Sequence, residues 1–376
     1  MAAAGDTRWL RAEHISAVRG CLATDTGDPD LPHAPPLLTL GETCAPATEC
    51  LPVLTFSHSD TLRDVDAFRH TLADNVAEFR ASHGRAPHCV YVEGLGALTA
   101  ASPPDPGKGP LHNKIALVTG AAGAIGMGIV RRLLEEGCRV AAADLPGDGL
   151  TALPDAFDAT HRGRLLSVAM DVTDETAVAG GMAQITEHWG GLDIAIVNAG
   201  IAHVAALTEL DTDAFHRLQR VNTDGTLFTI NAAARLMQAQ GIGGDIVLVS
   251  SKNVFAPGAR FGAYSATKAA AHQLARIASI ELAEYGIRVN MVSPDAVFSE
   301  GGTPSGLWAT VGPDRMRARG LSAGELEEYY RQRNLLKARV TARHVANAVL
   351  FFVTHQTPTT GATIPVDGGL PDASPR

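Results

Sequence analysis

The chain has 376 residues, enough for one large domain with an extension, or for two domains at roughly 150 residues each. Apolar residues make up 45% and charged residues 19%, a globular composition that excludes a wholly disordered chain. Lys and Arg number 31 against 40 Asp and Glu, a net charge of −9, so no general attraction to nucleic acid or an anionic membrane is expected.

The start, Met1-Ala-Ala-Ala-Gly-Asp-Thr-Arg8, lacks a basic region followed by an apolar run, and no stretch approaches 18 consecutive apolar residues. Neither a signal peptide nor a membrane span is expected, and a cytoplasmic protein is. The five cysteines, Cys21, Cys44, Cys50, Cys89 and Cys138, are odd in number and form no C-x-x-C pair. Reduced thiols are therefore expected, rather than a disulfide framework or a zinc knuckle. Residues 1–36 show no clear periodicity and carry a proline-rich patch at Pro29, Pro32, Pro35 and Pro36. The spacing of Leu62, Val65, Phe68, Leu72, Val76 and Phe79 then predicts a helix over about 60–82, capped by Ser59 or Asp60 and ended by Gly84. A short strand follows at 89–92. This first part is thin for an independent core. Residues 102–110, rich in Pro and Gly, read as a linker between an extension (1–101) and the main domain (111–376).

From Lys114 onward, apolar runs of strand length alternate with helical stretches, at 115–118, 140–143, 165–168, 194–197, 246–249 and 288–292. Continuous apolar strands separated by helices predict an α/β fold, a doubly wound parallel sheet of the Rossmann type with a small N-terminal α/β extension. Ligands of such sheets sit at the carboxyl ends of the strands.

The residues at those ends carry chemistry. The first strand runs into Thr119-Gly120-Ala-Ala-Gly123-Ala124-Ile125-Gly126, and a glycine-rich turn that opens a helix offers backbone N–H groups to a pyrophosphate. Asp144, followed by Leu145, ends the second strand, where a carboxylate takes ribose hydroxyls and repels a 2′-phosphate, so NAD is expected over NADP. Asp171-Val172 closes the third strand and Asn198-Ala199-Gly200 the fourth; helix capping and turn formation are the alternative roles there. Tyr264 and Lys268, four apart, share one helix face. With five Tyr and five Lys in the chain, chance supplies such a pair only about 0.07 times. A cation beside a phenol is expected to lower its pKa from ~10 and make it a general acid/base near neutrality. Ser251 lies at a strand end, where its hydroxyl would hold a substrate oxygen; Ser250 is a nearby competitor.

These motifs, with Asn222, Ser293-Pro294 and the tail Val366-Asp-Gly-Gly369, resemble the short-chain dehydrogenase/reductase family over about 111–369. The resemblance implies Tyr264 as proton donor or acceptor, with Lys268 lowering its pKa and binding the nicotinamide ribose. It implies Ser251 as the substrate-positioning hydroxyl, Asn222 as the holder of a relay water, and the backbone at Val297 beside the carboxamide. Two departures stand out: Ala124 replaces the middle glycine of the loop, and Asp295 follows Pro294 in place of glycine. A narrower resemblance, carried by Ser251-Lys-Asn253, Ser305-Gly-Leu-Trp308 and Leu335-Leu-Lys337 among others, is to the dehydrogenase half of bacterial fusions of a rhamnulose-phosphate aldolase with a lactaldehyde or alcohol dehydrogenase, and to sorbitol-phosphate dehydrogenases. The N-terminal part looks like a shortened remnant of the junction in such fusions, expected to pack on the dehydrogenase or aid assembly. With no H-x-H pair there, no metal site is expected.

Residues 299–339 read as a lid hinged at Gly301, Gly302 and Gly306, with Trp308 closing over substrate. Arg315, Arg317, Arg319, Arg331 and Arg333 read mostly as a solvated helix face. The expected reaction passes a hydride between nicotinamide and a carbinol or carbonyl carbon of a small polyol, sugar, sugar phosphate or hydroxyaldehyde, in a homodimer or homotetramer. An NAD-containing epimerase or dehydratase and a non-catalytic NAD-binding protein are the alternatives.

Overall fold

The computed structural model describes residues 7–29, 31–42, 53–56, 64–101, 108–300, 303–371 and 373. The extension comprises α1 (Thr7–Cys21), β1 (Thr24–Asp25), β2 (His33–Ala34), β3 (Leu38–Gly41), β4 (Val53–Phe56), α2 (Val65–His83), β5 (Cys89–Val92) and β6 (Gly96–Ala100). The main domain continues with β7 (Ile115–Thr119), α3 (Ala124–Glu135), β8 (Arg139–Asp144), α4 (Asp148–Ala152), α5 (Ala159–Arg162), β9 (Leu165–Ala169), α6 (Glu175–Trp189) and β10 (Ile194–Val197). Then come α7 (Thr212–Gln219), α8 (Gly225–Gln240), β11 (Gly244–Val249), α9 (Gly262–Glu281), β12 (Ile287–Pro294), the short pair β13 (Ser299–Glu300) and β14 (Thr303–Pro304), α10 (Gly306–Arg319), α11 (Ala323–Arg333), α12 (Ala342–Val353) and β15 (Thr363–Val366).

Seven of these strands form one parallel sheet in the order β15-β12-β11-β10-β7-β8-β9. Every residue of β7 and β10 is buried, as a strand covered on both faces requires. One face is packed by α6, α8 and α9 and the other by α3 and α12. On the second face a Cβ at Gly128 would come within 2.5 Å of the Ala342 Cβ, so the glycine lets α3 and α12 touch. The doubly wound fold thus has the strands expected from the apolar runs. Among the described residues no helix is long and apolar enough to cross a membrane.

The extension is fuller than its sequence suggested. It holds a four-stranded sheet in the order β3-β6-β5-β4 and a second helix, α1. Trp9 and Ala12 of α1 join the core beneath α6 and α8, while Ile15 and Val18 face a separate core with Phe68, Leu72, Val90 and Leu98. A Cβ at Gly20 would lie 1.7 Å from the Gln240 carbonyl oxygen, so α1 meets the end of α8 backbone to backbone. Helix α2 starts at Val65 under an Asp64 cap, later than expected, because the Asp64 carboxylate accepts from the N–H groups of Asp66 and Ala67. Gly84 ends it in the left-handed conformation, as expected. Ser59, Asp60 and Leu62 lie outside the described residues, as does most of the expected linker.

The cysteine expectation needs correction. Cys89 is disulfide-bonded, with its partner outside the described residues, whereas Cys21 and Cys138 are free thiols. Chain spacing gave no sign of that bridge.

Candidate active site

The strand order reverses between β7 and β10, and the crevice at their carboxyl ends is a topological switch point. Gly120 turns the chain there with φ +64°, and a Cβ on it would lie 2.9 Å from the Ala199 Cα. At Gly126 a Cβ would lie 2.2 Å from the Gly120 carbonyl oxygen, so helix α3 can begin this close to the strand only with glycine. Gly123, before the first turn of α3, faces open space, and a Cβ there would meet only the Gly120 oxygen, at 3.5 Å. Ala124 is buried and Ile125 half-buried, so the loop accommodates the alanine. Asn198 ties the two strand ends together: its Nδ2 donates to the carbonyl oxygens of Thr119 and Gly120 at 2.8 and 3.1 Å. In return the Thr119 Oγ1 accepts from the N–H groups of Asn198 and Ala199.

Asp144 ends β8, and its two carboxylate oxygens accept from the Ala122 and Leu145 N–H groups, each at 2.8 Å. Strand β9 stops at Ala169, so Asp171 lies two residues beyond the strand rather than closing it. Its carboxylate accepts from the Thr173 N–H and hydroxyl, and Asp174, not Asp171, caps α6. Val172 is buried beside it. Apart from Thr119, which is fully buried behind the loop, and Asp174, these groups line one cavity of about 650 Å³ that runs on past Gly200 to Tyr264. An open cradle at the start of α3, with an acid at the end of β8, fits the pyrophosphate and ribose of a dinucleotide.

Helix α9 places Tyr264 in its first turn and Lys268 one turn later, and both are buried. Ser251 lies beside the Tyr264 hydroxyl and acts on its ionisation. Burial pushes the phenol above its ordinary pKa; Ser251 opposes this and the Asp295 carboxylate adds to it. The expectation that Lys268 lowers the phenol pKa is therefore not met in this structure. The ammonium turns instead to the Val249 carbonyl, at 3.0 Å, and burial lowers its own pKa to about 8. Gly200 makes room for it, since a Cβ there would lie 3.1 Å from Lys268 Nζ and 3.3 Å from Asn222 Oδ1.

Asn222 sits in a π-helical turn, Arg220–Asp224, between α7 and α8. The extra residue in such a turn redirects a side chain. Asn222 Oδ1 accepts from the Ile201 N–H, and Nδ2 donates to the Ile201 carbonyl and the Thr267 hydroxyl. Both amide hydrogens are thus committed, and only a lone pair on Oδ1 is left for a water. The competitor Ser250 also lines the cavity, but its hydroxyl pairs with the buried His272 ring at 2.9 Å. Sequence reasoning missed that pair, although His272 continues the four-residue spacing of Tyr264 and Lys268.

On the far side, Pro294 ends β12 and Val297 is buried against the cavity. Asp295, the second departure, gives its carboxylate to Arg333 Nη2 at 2.5 Å. Trp308 stacks on Phe298 with ring centroids 4.4 Å apart and meets Tyr330 edge-on at 4.8 Å. Gly301 and Gly302 lie outside the described residues. Of the five arginines read as a solvated face, Arg317 and Arg331 pair with Asp314 and Glu328 near the surface, and Arg319 covers the Tyr329 ring. Arg315 and Arg333 instead turn into the cavity.

Residues 114–307, more than half of the chain, match the short chain dehydrogenase family. The chain belongs to that family. Its relatives include an uncharacterized oxidoreductase, YuxG, of Bacillus subtilis (strain 168), 36% identical over 273 residues. That match covers 72% of this chain but only 39% of YuxG. The mitochondrial (-)-isopiperitenol/(-)-carveol dehydrogenase of Mentha piperita is 38% identical over 69% of this chain and 94% of its own. Sorbitol dehydrogenase of Cereibacter sphaeroides is 35% identical over 50% of this chain and 73% of its own. As a short-chain dehydrogenase/reductase the chain is an oxidoreductase acting on CH–OH groups, in a family that uses NAD or NADP.

Proposed function

We propose that this short-chain dehydrogenase/reductase is NAD-dependent and interconverts carbinol and carbonyl in a small polyol, sugar, sugar phosphate or hydroxyaldehyde. The observation that carries the reading is that Tyr264 and Ser251 line the same cavity that Asp144 closes at its other end. In oxidation the phenolate form of Tyr264 takes the substrate hydroxyl proton, and in reduction the phenol returns it. Ser251 holds the substrate oxygen. Lys268, anchored on the Val249 carbonyl, presents its ammonium beside Gly200 to a ribose. Asn222 fixes the loop at Ile201 and offers its remaining lone pair to a relay water. Bound at the switch point, the dinucleotide supplies the two-electron acceptor.

NAD over NADP is supported by Asp144, which is followed by Leu145, Pro146 and Gly147 with no cation to receive a 2′-phosphate. A polyol class is supported by the likeness to sorbitol dehydrogenase. The narrower reading, a likeness to the dehydrogenase half of a larger fusion, is supported by the match to only 39% of YuxG. Assembly into homodimers or homotetramers is supported by exposed Leu227 on α8 and Ile277 and Ile280 on α9.

The test is NAD reduction against a panel of polyols, sugars, sugar phosphates and lactaldehyde. Tyr264→Phe is expected to keep NADH binding and lose turnover by about 10²–10⁴-fold. Asp144→Ala is expected to weaken NAD and narrow its preference over NADP. Unchanged turnover in the first variant, or an unaltered preference in the second, overturns the corresponding role.

A further inference from the structure

The substrate end of the cavity is walled by cations. Lys252, Arg315 and Arg333 all line it, against a single carboxylate, Asp295, which Arg333 already holds. Lys252 spends one hydrogen on the Ala256 carbonyl at 3.0 Å. Arg315 is the anomaly. It is only 9% exposed, and its Nε is sealed from water without a hydrogen-bond partner. Among the described residues no carboxylate lies within ion-pair distance of it, although its helix neighbours Arg317, Arg331 and Arg333 each have one. What surrounds its guanidinium is the face of Phe261, 4.2 Å away, and the Tyr330 hydroxyl. Phe261 in turn meets Tyr264 edge-on, with ring centroids 5.9 Å apart. A buried guanidinium with an unmet donor is costly unless an acceptor comes to it.

We propose that Arg315, with Lys252 and Arg333 beside it, forms a subsite for an oxyanion carried by the substrate, a phosphate or a carboxylate a few carbons from the carbinol that Tyr264 serves. Arg315 is then the specificity-determining residue of the pocket, and neutral polyols are its poorer substrates. The inference rests on the redox reading for where the carbinol sits, but not for whether an anion binds. Guanidinium–oxyanion recognition is charge-assisted and directional, and the planar fork of arginine suits both groups. The aromatic wall of Phe261, Trp308 and Tyr330 keeps water from competing for those donors.

The experiment uses three probes with one carbon skeleton: glycerol, glycerate and glycerol 3-phosphate, at constant ionic strength with chloride as the balancing anion. Binding to the NADH-loaded protein is measured by calorimetry, and turnover separately. In the wild type at least one of the two anions is expected to bind 10-fold or more tighter than glycerol, and which of them does so identifies phosphate or carboxylate. Arg315→Met should bring all three within about two-fold while leaving the NADH Kd unchanged, and Arg315→Lys should recover part of the preference. Tyr264→Phe should bind the anions as the wild type does. Equal binding of glycerol and both anions by the wild type overturns the proposal on its own, even if the Met variant fails to fold. A preference that survives in Arg315→Met that still binds NADH also overturns it. Failure of the redox reading shows elsewhere, as absence of turnover across the panel with anion binding intact.

Discussion

Replacing Arg19 by methionine removes a cation that is completely buried and bound on every side. Its two terminal nitrogens donate to the Asp193 carboxylate at 2.8 and 2.9 Å, one of them also to Gln240, and its Nε donates to the Pro36 carbonyl. Burial pushes the Asp193 carboxyl up, and the Arg19 charge, aided by Lys114 and hydrogen bonds, overcomes it to bring the pKa down from 3.8 to about 2. At ~1.4 kcal/mol per unit, that shift corresponds to about 2.5 kcal/mol of stability. The truncation costs more, about 3–5 kcal/mol, because it leaves a buried carboxylate without its cation. The sign follows from the direction of the shift. In the wild type the contribution is present above pH 4 and is lost as pH falls toward 2. In the variant only burial remains as the main influence, so protonation relieves the penalty at a higher pH. Urea unfolding of Arg19→Met is expected to show the full loss at pH 7 and a smaller loss near pH 4.5. The Tm at pH 7 should fall by roughly 6–10 °C, at ~2 °C per kcal/mol for a large chain. Asp193 precedes β10, at the opposite end of the sheet from the active site, so turnover per folded molecule stays constant. A loss below about 1 kcal/mol, or one that does not shrink with acid, refutes the reasoning.

The raised phenol of Tyr264 predicts that kcat/KM for alcohol oxidation climbs through pH 7–9, whereas carbonyl reduction stays flat to neutrality; a plateau in the oxidation profile already at pH 7 contradicts this. Lys268, lowered to about 8, carries its charge below that pH, so NADH affinity is expected to weaken as the pH rises through 8, read by fluorescence titration. Gly126→Ala forces a methyl to within 2.2 Å of the Gly120 oxygen and should cost NADH affinity 10-fold or more while the far-UV spectrum persists; unchanged affinity removes the close-approach role of that glycine.

The elements that sequence revealed are those whose burial is uniform. A strand such as Ile194–Val197 is covered on both faces, so its pattern is an unbroken apolar run and needs no knowledge of its neighbours. Tyr264 and Lys268 were legible because one helical turn fixes their relation. Helix α1 escaped notice because its faces are buried by different partners: Trp9 and Ala12 enter one core, Ile15 and Val18 another, and Arg19 meets a carboxylate 174 positions away. No single stripe results. The π-helical turn at Asn222 is a property of backbone geometry with no residue signature. The choice of Ser251 over Ser250 depends on which hydroxyl His272 claims, a tertiary fact.

Among the described residues, the three most deeply buried Lys and Arg side chains separate structure from chemistry. Arg19 lies in the seam between the extension and the dehydrogenase, and the fold supplies it with a carboxylate, an amide and a carbonyl. Lys268 and Arg315 are also buried, yet among the described residues neither has a carboxylate at ion-pair distance, in a chain with nine more acidic than basic side chains. Acidic partners were available to the sequence, as Arg19 and Arg333 show. A carboxylate beside Lys268 would neutralise the ammonium proposed to meet a ribose, and one beside Arg315 would occupy the donors proposed for an incoming oxyanion. Burial without pairing lowers the stability of the charged state, and both instances line the same cavity. For Arg315, the proposed subsite leaves the missing counter-charge to the oxyanion of the substrate.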